Sequence, residues 1–521
     1  MKRKIILSLI SILSGVLCFG QYPNVLISNG GFPNEPSIVI NPKHTGQMVA
    51  GSNNWFFYYS NDAGNTWQTG ILTSSFGVMG DPCLTIDTTG NFCYIHLSDP
   101  SSGGHWIDRI VCQQSQDGGQ TWSDGSYMGL NGNKNQDKAW AAVDPANNKI
   151  YVTWTQFDLY ASTSQYDSSN ILFSRSLDDG QTWSLPQRIN RVAGNCLDQD
   201  NTVEGAVPAV GPNGEVYVSW AGPLGLVFNR SLDGGDTWMD TNIFVSDIPG
   251  GWDYSIPGIY RANGLPVTCC DLSSGPFHGN LYINWSDQRN GPTDTDVWFV
   301  KSTDGGNTWS IPKRVNDDPP GHQQFFTWMT VDQKTGFIWF VFYDRREHTD
   351  LLTDVYMAVS RDGGETFQNF KVSDTPFSPL QSVFFGDYTN VSASNNVVRP
   401  IWTRLDNGTY EGIWTAIVDS MYLGISKNLG NVVPLSLEQN YPNPVKNVTT
   451  ISFEVEVPSV ITLRVLDTYG REIFTMINNR KVTPGEYTEY FDVAAHHLSP
   501  GFYYFSLISG ETSLQRKMLV E

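Results

Sequence analysis

Three observations predict an all-β chain in which a large repeated region precedes a small, separate β-sandwich. An eight-residue phrase, Ser-x-Asp-x-Gly-x-Thr-Trp, occurs six times at intervals of 55 to 71 residues. Between the copies the chain reads as short strands rich in Val, Tyr and Trp, joined by turns. The sequence pattern changes at about Leu435, where a second unit begins.

The phrase returns at the interval expected of one four-stranded unit repeated in a propeller or array. Only the last copy departs from it, because it ends in Phe367 instead of Trp. The aspartates of the six copies are Asp62, Asp117, Asp178, Asp233, Asp304 and Asp362.

The chemistry of the phrase suits a tight hairpin. The aspartate can accept hydrogen bonds from nearby backbone N–H groups, and the glycine takes the positive φ that the turn requires. The Thr and Trp then begin the outgoing strand, with the indole folded back into a small core. The phrase therefore predicts fold and says almost nothing about chemistry.

This phrase resembles the Asp-box, or BNR repeat, of the sialidase-like β-propellers. The resemblance implies that each box is a hairpin between the third and fourth strands of a blade. It also implies that the boxes lie on the face away from an active site. Sialidases have six blades, whereas this chain offers more, so it resembles the superfamily more than that enzyme family.

Seven segments read as the first strand of a blade, against six boxes. The seventh unit, from Asp387 to about Ser420, offers three strands and no box. Residues 23–28 resemble the fourth strands of other blades, so we expect them to complete the seventh blade and close the ring. The seven segments are 35–39, 81–85, 137–140, 204–208, 265–267, 326–329 and 387–391.

The amino terminus reads as a signal peptide over residues 1–20. Lys2, Arg3 and Lys4 form a charged start, and an apolar run and Gly20 follow. The propeller is then expected over 21–428. No later apolar run is long enough to span a membrane. The formal charge of -20 argues against nucleic acid and anionic membranes as partners.

The carboxyl-terminal region, 435–521, resembles the type A sorting domain of the type IX secretion system of the Bacteroidetes. The resemblance rests on 439–444 (Gln-Asn-Tyr-Pro-Asn-Pro), 470–472 (Gly-Arg-Glu) and the basic close at 516–518. It implies carriage across the outer membrane by the secretion machinery, followed by release or surface attachment. The alternative is an ordinary Ig-like sandwich used for binding.

Cysteines and cofactors give weaker signals. Six cysteines remain after Cys18, and their spacing matches no zinc pattern, so we expect buried thiols or one or two disulfides. We expect no cofactor and no metal site. The turn 290–292, leading to Asp294 and Asp296, leaves room for a structural calcium, but it lacks a defined ligand period and reads as a solvated turn.

Candidate site residues come from the face opposite the boxes, where first strands begin and second strands end near the central channel. Carboxylates and arginines facing one another there suit carbohydrate chemistry, with an acid, a base or nucleophile, and bidentate clamps for an acidic sugar. The alternative is that Asp-Arg pairs tie blades together, as 286–289 and 343–346 suggest. The candidates are Glu35, Asp81, Asp137, Glu204, Arg289, Gln324, Arg345, Asp387, Tyr388 and Arg404.

The resemblance to sialidases implies roles for several of these residues. Asp81 would be the acid/base, Tyr388 the nucleophile and Glu204 its helper. Arg289, Arg345 and Arg404 would bind the substrate carboxylate. The position of Glu35, Asp137, Gln324 and Asp387 on the channel face, and not the resemblance, makes them further candidates for substrate binding. The early arginine motif of that family is missing, since residues 34–36 read Asn-Glu-Pro, which argues against sialic acid.

The sequence therefore predicts a secreted or surface-exposed glycoside hydrolase, sialidase-like and acting on an extracellular acidic glycan. One alternative is a polysaccharide lyase that uses Tyr388 or His322 as base, with arginines neutralising a uronate. Another is a propeller that binds a glycan or a protein without catalysis.

Overall fold

The computed structural model describes residues 22–406, 410–419, 435–455, 458–467, 471–496, 498–509 and 512–521. Every regular element in these residues is a β-strand, so the all-β prediction is confirmed. The chain divides into two compact units between Val418 and Asp419. The expected signal peptide, 1–20, lies outside the described residues.

The first unit contains seven sheets, named sheets 1 to 7 in chain order, each with sequential antiparallel strands. Sheet 7 has five strands, because it combines β28 to β30 with the first strand of the chain, β1, and with the short β31, which pairs with β29; β18 and β19 form a separate hairpin. The strands of sheets 1 to 3 are β2 (Ser37–Ile40), β3 (Met48–Ser52), β4 (Phe56–Ser60), β5 (Gln68–Ile71), β6 (Cys83–Ile86), β7 (Phe92–Leu97), β8 (Ile110–Ser115), β9 (Ser126–Met128), β10 (Asn135–Val143), β11 (Ile150–Phe157), β12 (Ser169–Ser176) and β13 (Gln187–Arg188). Those of sheets 4 to 7 and the hairpin are β14 (Glu204–Val210), β15 (Val216–Gly222), β16 (Gly225–Ser231), β17 (Ile243–Ser246), β18 (Asp253–Tyr254), β19 (Ala262–Asn263), β20 (Val267–Cys270), β21 (Leu281–Asp287), β22 (Asp296–Ser302), β23 (Lys313–Arg314), β24 (Gln324–Asp332), β25 (Phe337–Asp344), β26 (Asp354–Ser360), β27 (Gln368–Lys371), β28 (Asn390–Ser394), β29 (Val397–Asp406), β30 (Tyr410–Ala416) and β1 (Asn24–Ser28).

The first strand of each sheet lies on the axis of a β-propeller. These strands contact one another in the cyclic order β2, β6, β10, β14, β20, β24, β28 and back to β2. β1 pairs antiparallel with β30, from Asn24 opposite Ala416 to Ser28 opposite Ile413. The prediction that this segment closes the ring is therefore confirmed, and closure leaves sheet 7 without an open edge at that position.

Each Asp-box forms the predicted hairpin between the third and fourth strands of its sheet. In the first box Ser60 Oγ donates to Asp62 Oδ1 at 2.8 Å, and Thr66 N donates to the same oxygen at 2.9 Å. Gly64 takes a φ of +82° in the turn. The same hydrogen bonds recur around Asp178, Asp233 and Asp304, so the repeat is a local scaffold.

The closing aromatic residue of a box packs against the preceding sheet. The Trp238 ring lies 4.9 Å from the Phe173 ring, and the Trp309 ring lies 5.1 Å from the Phe228 ring. Phe367, which replaces the tryptophan in the last box, makes the same contact with Phe299 at 5.4 Å. The boxes therefore join neighbouring sheets as well as closing their own.

The six cysteines of the described residues are free thiols, and five of them are buried. This agrees with the expectation of buried thiols and not with that of disulfides. Asp294 and Asp296 are buried instead of solvated. Gly321 N donates to Asp294 at 2.7 Å, and Asn316 Nδ2 donates to Asp296 at 2.6 Å. The turn 290–292 itself is solvated, as expected. Among the described residues no helix has the length and apolarity needed to cross a membrane.

The second unit is a small β-sandwich with its own core, which includes Ile451, Phe453, Leu463 and Phe505. One sheet has the order β32-β33-β36 and the other the order β35-β34-β37-β38. The strands are β32 (Leu435–Leu437), β33 (Val448–Val455), β34 (Ser459–Leu466), β35 (Glu472–Val482), β36 (Gly485–Asp492), β37 (Gly501–Ser509) and β38 (Thr512–Val520), and β31 (Val418–Asp419) precedes them at the division of the units.

Candidate active site

The inner strands β10, β14 and β24 carry a bulge near their start. The pairing of β10 with β11 shifts between Asp137 and Trp140, and that of β14 with β15 shifts between Glu204 and Val207. Residues just before or near the start of three inner strands take a positive φ, 51° at Glu35, 49° at Asp81 and 48° at Lys138. Non-glycine residues in this region are strained and concentrate at functional sites.

The residues at these positions divide the surroundings of the axis into a charged half and an apolar half. Sheets 7, 1, 2, 3 and 4 contribute charged side chains, whereas sheets 5 and 6 contribute Leu265, Phe325 and Phe326. Two residues from loops complete the charged half. We call the following eight residues the axial cluster: Glu35, Asp81, Asp137, Lys138, Asp198, Glu204, Arg261 and Asp387.

Asp387 is the ion-pair centre of the axial cluster. Lys138 Nζ lies 2.7 Å from Asp387 Oδ2, and Arg261 Nε donates to Asp387 Oδ1 at 2.7 Å. A second nitrogen of the same guanidinium contacts Oδ2. Burial alone would raise the pKa of Asp387, but Lys138 and Arg261 hold this pKa well below its usual range. Asp387 is therefore an ionised carboxylate.

Glu35, Asp81 and Asp137 form a chain of carboxyl groups beside this ion pair. The Asp81 carboxyl hydrogen-bonds to those of both Glu35 and Asp137. Burial, with the charges of Asp81 and Asp387, raises the pKa of Glu35 well above its usual range. Burial raises the pKa of Asp137 to about 8, against the opposing charge of Lys138. Glu35 and Asp137 are therefore carboxylic acids at neutral pH.

Glu204 is the most isolated acid of the axial cluster. Its side chain is fully buried, and neither carboxyl oxygen has a hydrogen-bond partner among the described residues. Burial raises its pKa well above the usual range, and the charge of Asp198 acts in the same direction. A buried polar group without a partner is rare and calls for a functional explanation.

Asp198 and Arg261 were not among the residues predicted from the sequence. Arg261 Nη1 lies 2.9 Å from Asp198 Oδ2, and the Tyr160 hydroxyl donates to the same oxygen at 2.7 Å. Arg261 belongs to the segment that carries the β18–β19 hairpin, inserted between sheets 4 and 5. The longest interval between boxes, 71 residues from Asp233 to Asp304, was the signal for this insertion.

Four predicted substrate contacts have other partners in the structure. Arg289 pairs with Asp287 at 2.6 Å, and Arg404 pairs with Asp406 at 2.7 Å, both as ties at the end of a second strand. Gln324 is fully buried and hydrogen-bonds to Asp344 at 3.1 Å. The structure does not bring these three into the axial cluster, and their contact with a substrate stays a prediction.

Arg345, the fourth, is buried at the edge of the axial region. Its Nε donates to Thr353 Oγ1 at 2.9 Å, and its Nη1 donates to Pro257 O at 2.8 Å. Burial lowers the pKa of Arg345 to about 10. The contact with Pro257 supports the segment that carries Arg261, so Arg345 holds this loop in place. Its contact with a substrate also stays a prediction.

Tyr388 lies next to the charged half and packs with two tryptophans. Its ring lies 5.0 Å from that of Trp140, which in turn lies 4.4 Å from that of Trp328. Burial raises the pKa of Tyr388 well above its usual range, so the phenol keeps its proton. A cavity of about 30 Å³, bounded by Lys138, Tyr388 and Asp387 among others, separates the charged and apolar halves. It has room for one water molecule.

Comparison with known proteins gives a family for the second unit. Residues 439–521 match the family model of the secretion system C-terminal sorting domain. The prediction of a sorting domain is therefore confirmed, and the second unit is a signal for export to the cell surface or beyond.

The first unit has more distant likenesses. A xyloglucanase from Paenibacillus sp. is 28% identical over 198 residues, which are 36% of this chain and 17% of that protein. A Hadza microbial sialidase is 16% identical with a TM-score of 0.41, covering 72% of this chain and 73% of that chain. An ulvan lyase of a new polysaccharide lyase family is 14% identical with a TM-score of 0.47, covering 76% of this chain and 96% of that chain.

Proposed function

We propose that the axial cluster is the active site of an exported glycoside hydrolase that acts on a neutral glycan outside the cell. The observation that carries the proposal is the contrast between two buried carboxyl groups: Glu204 has no hydrogen-bond partner among the described residues, whereas Asp387 pairs with Lys138 and Arg261. Environments that push the pKa values of neighbouring carboxyl groups apart are how one site supplies an acid and a carboxylate at the same pH.

Glu204 is the proposed general acid. Glycoside hydrolysis needs a carboxylic acid that protonates the leaving oxygen and a second carboxylate that serves as base or nucleophile. Burial raises the pKa of Glu204 well above its usual range, and neither carboxyl oxygen has a hydrogen-bond partner among the described residues. Asp387 and Asp198 supply negative charge, which stabilises the positive charge that develops on the sugar ring.

The charge of the axial cluster favours a neutral sugar over an acidic one. Its six carboxyl groups face two cations, Lys138 and Arg261, and both cations already pair with Asp387. A sialic acid or a uronate would need a free cationic clamp. Arg345 pairs with no carboxylate among the described residues and is the candidate clamp for the expected exo-sialidase specificity and the lyase alternative, but it lies outside the axial cluster. The partial likeness to a xyloglucanase agrees with a neutral polysaccharide as substrate.

The test is a panel of neutral, sialylated and uronate-containing glycans, with reducing ends and the absorbance of unsaturated products followed together. We expect new reducing ends from a neutral glycan and no unsaturated product. Asp240→Asn, which removes a fully exposed carboxylate far from the axis, should keep wild-type activity. Turnover of acidic glycans alone, or no turnover by the folded protein, would contradict the proposal.

A further inference from the structure

A groove of about 550 Å³ lies beside the axial cluster, on the same face of the propeller. Its walls are the β15–β16 turn at 222–225, the segment 247–252 after β17, and residues Asp200 and Asn201 before β14. These connections lie at the end of sheet 4 opposite its Asp-box hairpin. The groove is therefore on the face of the propeller where the inner strands begin. Its volume is within the range of small-molecule sites, roughly 300–1,000 Å³.

The groove and the axial cluster share two loops. The loop before β14 carries Asp200 on the groove wall and Asp198 in the cluster. The segment after β17 carries Trp252 on the groove wall and Arg261 in the cluster. A ligand that lies in the groove therefore touches the same loops that build the axial cluster.

Hydrogen bonds join these two loops at the groove. Trp252 Nε1 donates to Thr202 O at 3.1 Å, and Asp253 N donates to Asp200 Oδ1 at 2.8 Å. Gly251 admits no side chain, because a Cβ atom there would lie 1.9 Å from Asp200 Oδ1. The groove is therefore a built feature of the propeller, formed by interlocked loops.

The walls of the groove suit a ligand rich in hydroxyl groups. Asp200, Asp247 and Asn201 are exposed and offer hydrogen-bond acceptors, and Leu224, 48% exposed, offers an apolar contact to the face of a sugar ring. No lysine or arginine is among the residues lining the groove. The described residues contain no group of three potential ligands that could hold a metal ion. The groove therefore favours a neutral saccharide.

We infer that the groove is a distal binding subsite for a neutral oligosaccharide whose reacting bond lies at the axial cluster. The inference rests on the proposed function and adds to it the substrate class: an extended chain of several sugar units, bound across sheet 4 toward the axis. Binding energy from remote sugar units then supports catalysis at the reacting bond.

The test uses the full-length protein with neutral gluco- and xylogluco-oligosaccharides from disaccharide to heptasaccharide. The double variant Leu224→Ala/Asp247→Ala removes two exposed groove side chains. Leu232→Ala removes another exposed leucine of the same sheet, 64% exposed at its Asp-box against 48% for Leu224. We expect kcat/KM of the wild type to rise about tenfold or more with chain length, a rise that the double variant loses. The control variant Leu232→Ala should keep the wild-type rise of kcat/KM with chain length.

Calorimetric binding of the same oligosaccharides separates this inference from the proposed function. Turnover without any gain from chain length, or a gain that survives in the double variant, would overturn the distal subsite and leave the hydrolase standing. Length-dependent binding without turnover, lost in the double variant, would support the subsite and overturn the hydrolase. Failure of every oligosaccharide to bind or react would overturn both.

Discussion

At the residue scale, Asp387 organises the charged half of the axis. It is 2% exposed and pairs with Lys138, also buried, and with Arg261, whose side chain is 37% exposed. Removing one partner of a buried ion pair leaves an uncompensated charge in a medium that solvates it poorly. Asp387 therefore supports stability as well as the proposed chemistry.

We expect Asp387→Asn to lower the free energy of unfolding by about 3 kcal/mol or more, because two cations lose their shared partner. The measurement is equilibrium denaturation by urea. Asp374→Asn breaks the surface pair with Arg404 (3.2 Å) and should cost less than about 1 kcal/mol. Equal losses in the two variants would contradict the central role of Asp387.

The raised pKa of Asp137 gives stability a defined dependence on pH. Asp137 has a pKa of about 8 when folded and about 4 when unfolded, so the folded state binds the proton more tightly between these values. The contribution of Asp137 to the free energy of unfolding is present in full below about pH 4 and is lost as pH rises through about 8.

We therefore expect wild-type stability to fall more steeply from pH 5 to pH 8 than that of Asp137→Asn, which carries no titrating group at this position. Urea denaturation at both pH values measures the difference. Parallel pH profiles of the two proteins would mean that Asp137 is already ionised in the folded state.

The sequence could predict the part of the axial cluster that lies on strands. Glu35, Asp81, Asp137, Glu204 and Asp387 all come just before or at the start of an inner strand, and the repeat predicts that these starts converge. Asp198 and Arg261 lie on loops, and no periodicity specifies where an inserted loop folds back. Two of the three predicted arginines, Arg289 and Arg404, pair with a carboxylate two residues away in the chain, a competition that sequence patterns do not resolve.

At the element scale, the Asp-box hairpin is both a turn and an inter-sheet contact. The sequence predicted the turn from the positions of Asp and Gly, because both residues act locally. The packing of each box on the preceding sheet depends on which sheets are neighbours. Gly306 illustrates the contact, since its φ is +85° and a Cβ atom would lie 2.4 Å from the Phe228 ring.

We expect Gly306→Ala to cost about 2–4 kcal/mol, from backbone strain together with the collision with Phe228. Gly103→Ala is the matched control, because its φ is +74° and no atom lies within 4 Å of a Cβ there. This control should cost about 1 kcal/mol from strain alone. Thermal unfolding of both variants measures the difference, and similar losses would mean that Phe228 moves aside without cost.

At the scale of the whole molecule, closure of the ring depends on β1. Ile27 is 7% exposed and belongs to a core shared by sheets 7 and 1, with Ile38, Ile401 and Ile413. Leu26, the adjacent residue of the same strand, is 40% exposed. β1 covers the edge of β30, so detachment of β1 would expose this edge together with the core shared by sheets 7 and 1.

We expect Ile27→Asp to detach β1 and lower stability by about 3 kcal/mol or more, because it buries an unpaired charge. Leu26→Asp places the same charge on the exposed side and should cost less than about 1 kcal/mol. The two variants are compared by limited proteolysis near the amino terminus and by thermal unfolding. Equal resistance of both variants to proteolysis would contradict the role of β1 in closure.

The account as a whole depends most on Glu204 as the general acid. The direct measurement is kcat of Glu204→Gln on a neutral glycan and on an aryl glycoside of the same sugar, whose leaving group needs no protonation. We expect a loss of about 10²-fold or more on the glycan and little loss on the aryl glycoside, since general acid catalysis helps only poor leaving groups. Equal losses on both substrates, or wild-type activity on the glycan, would show that Glu204 does not donate the proton.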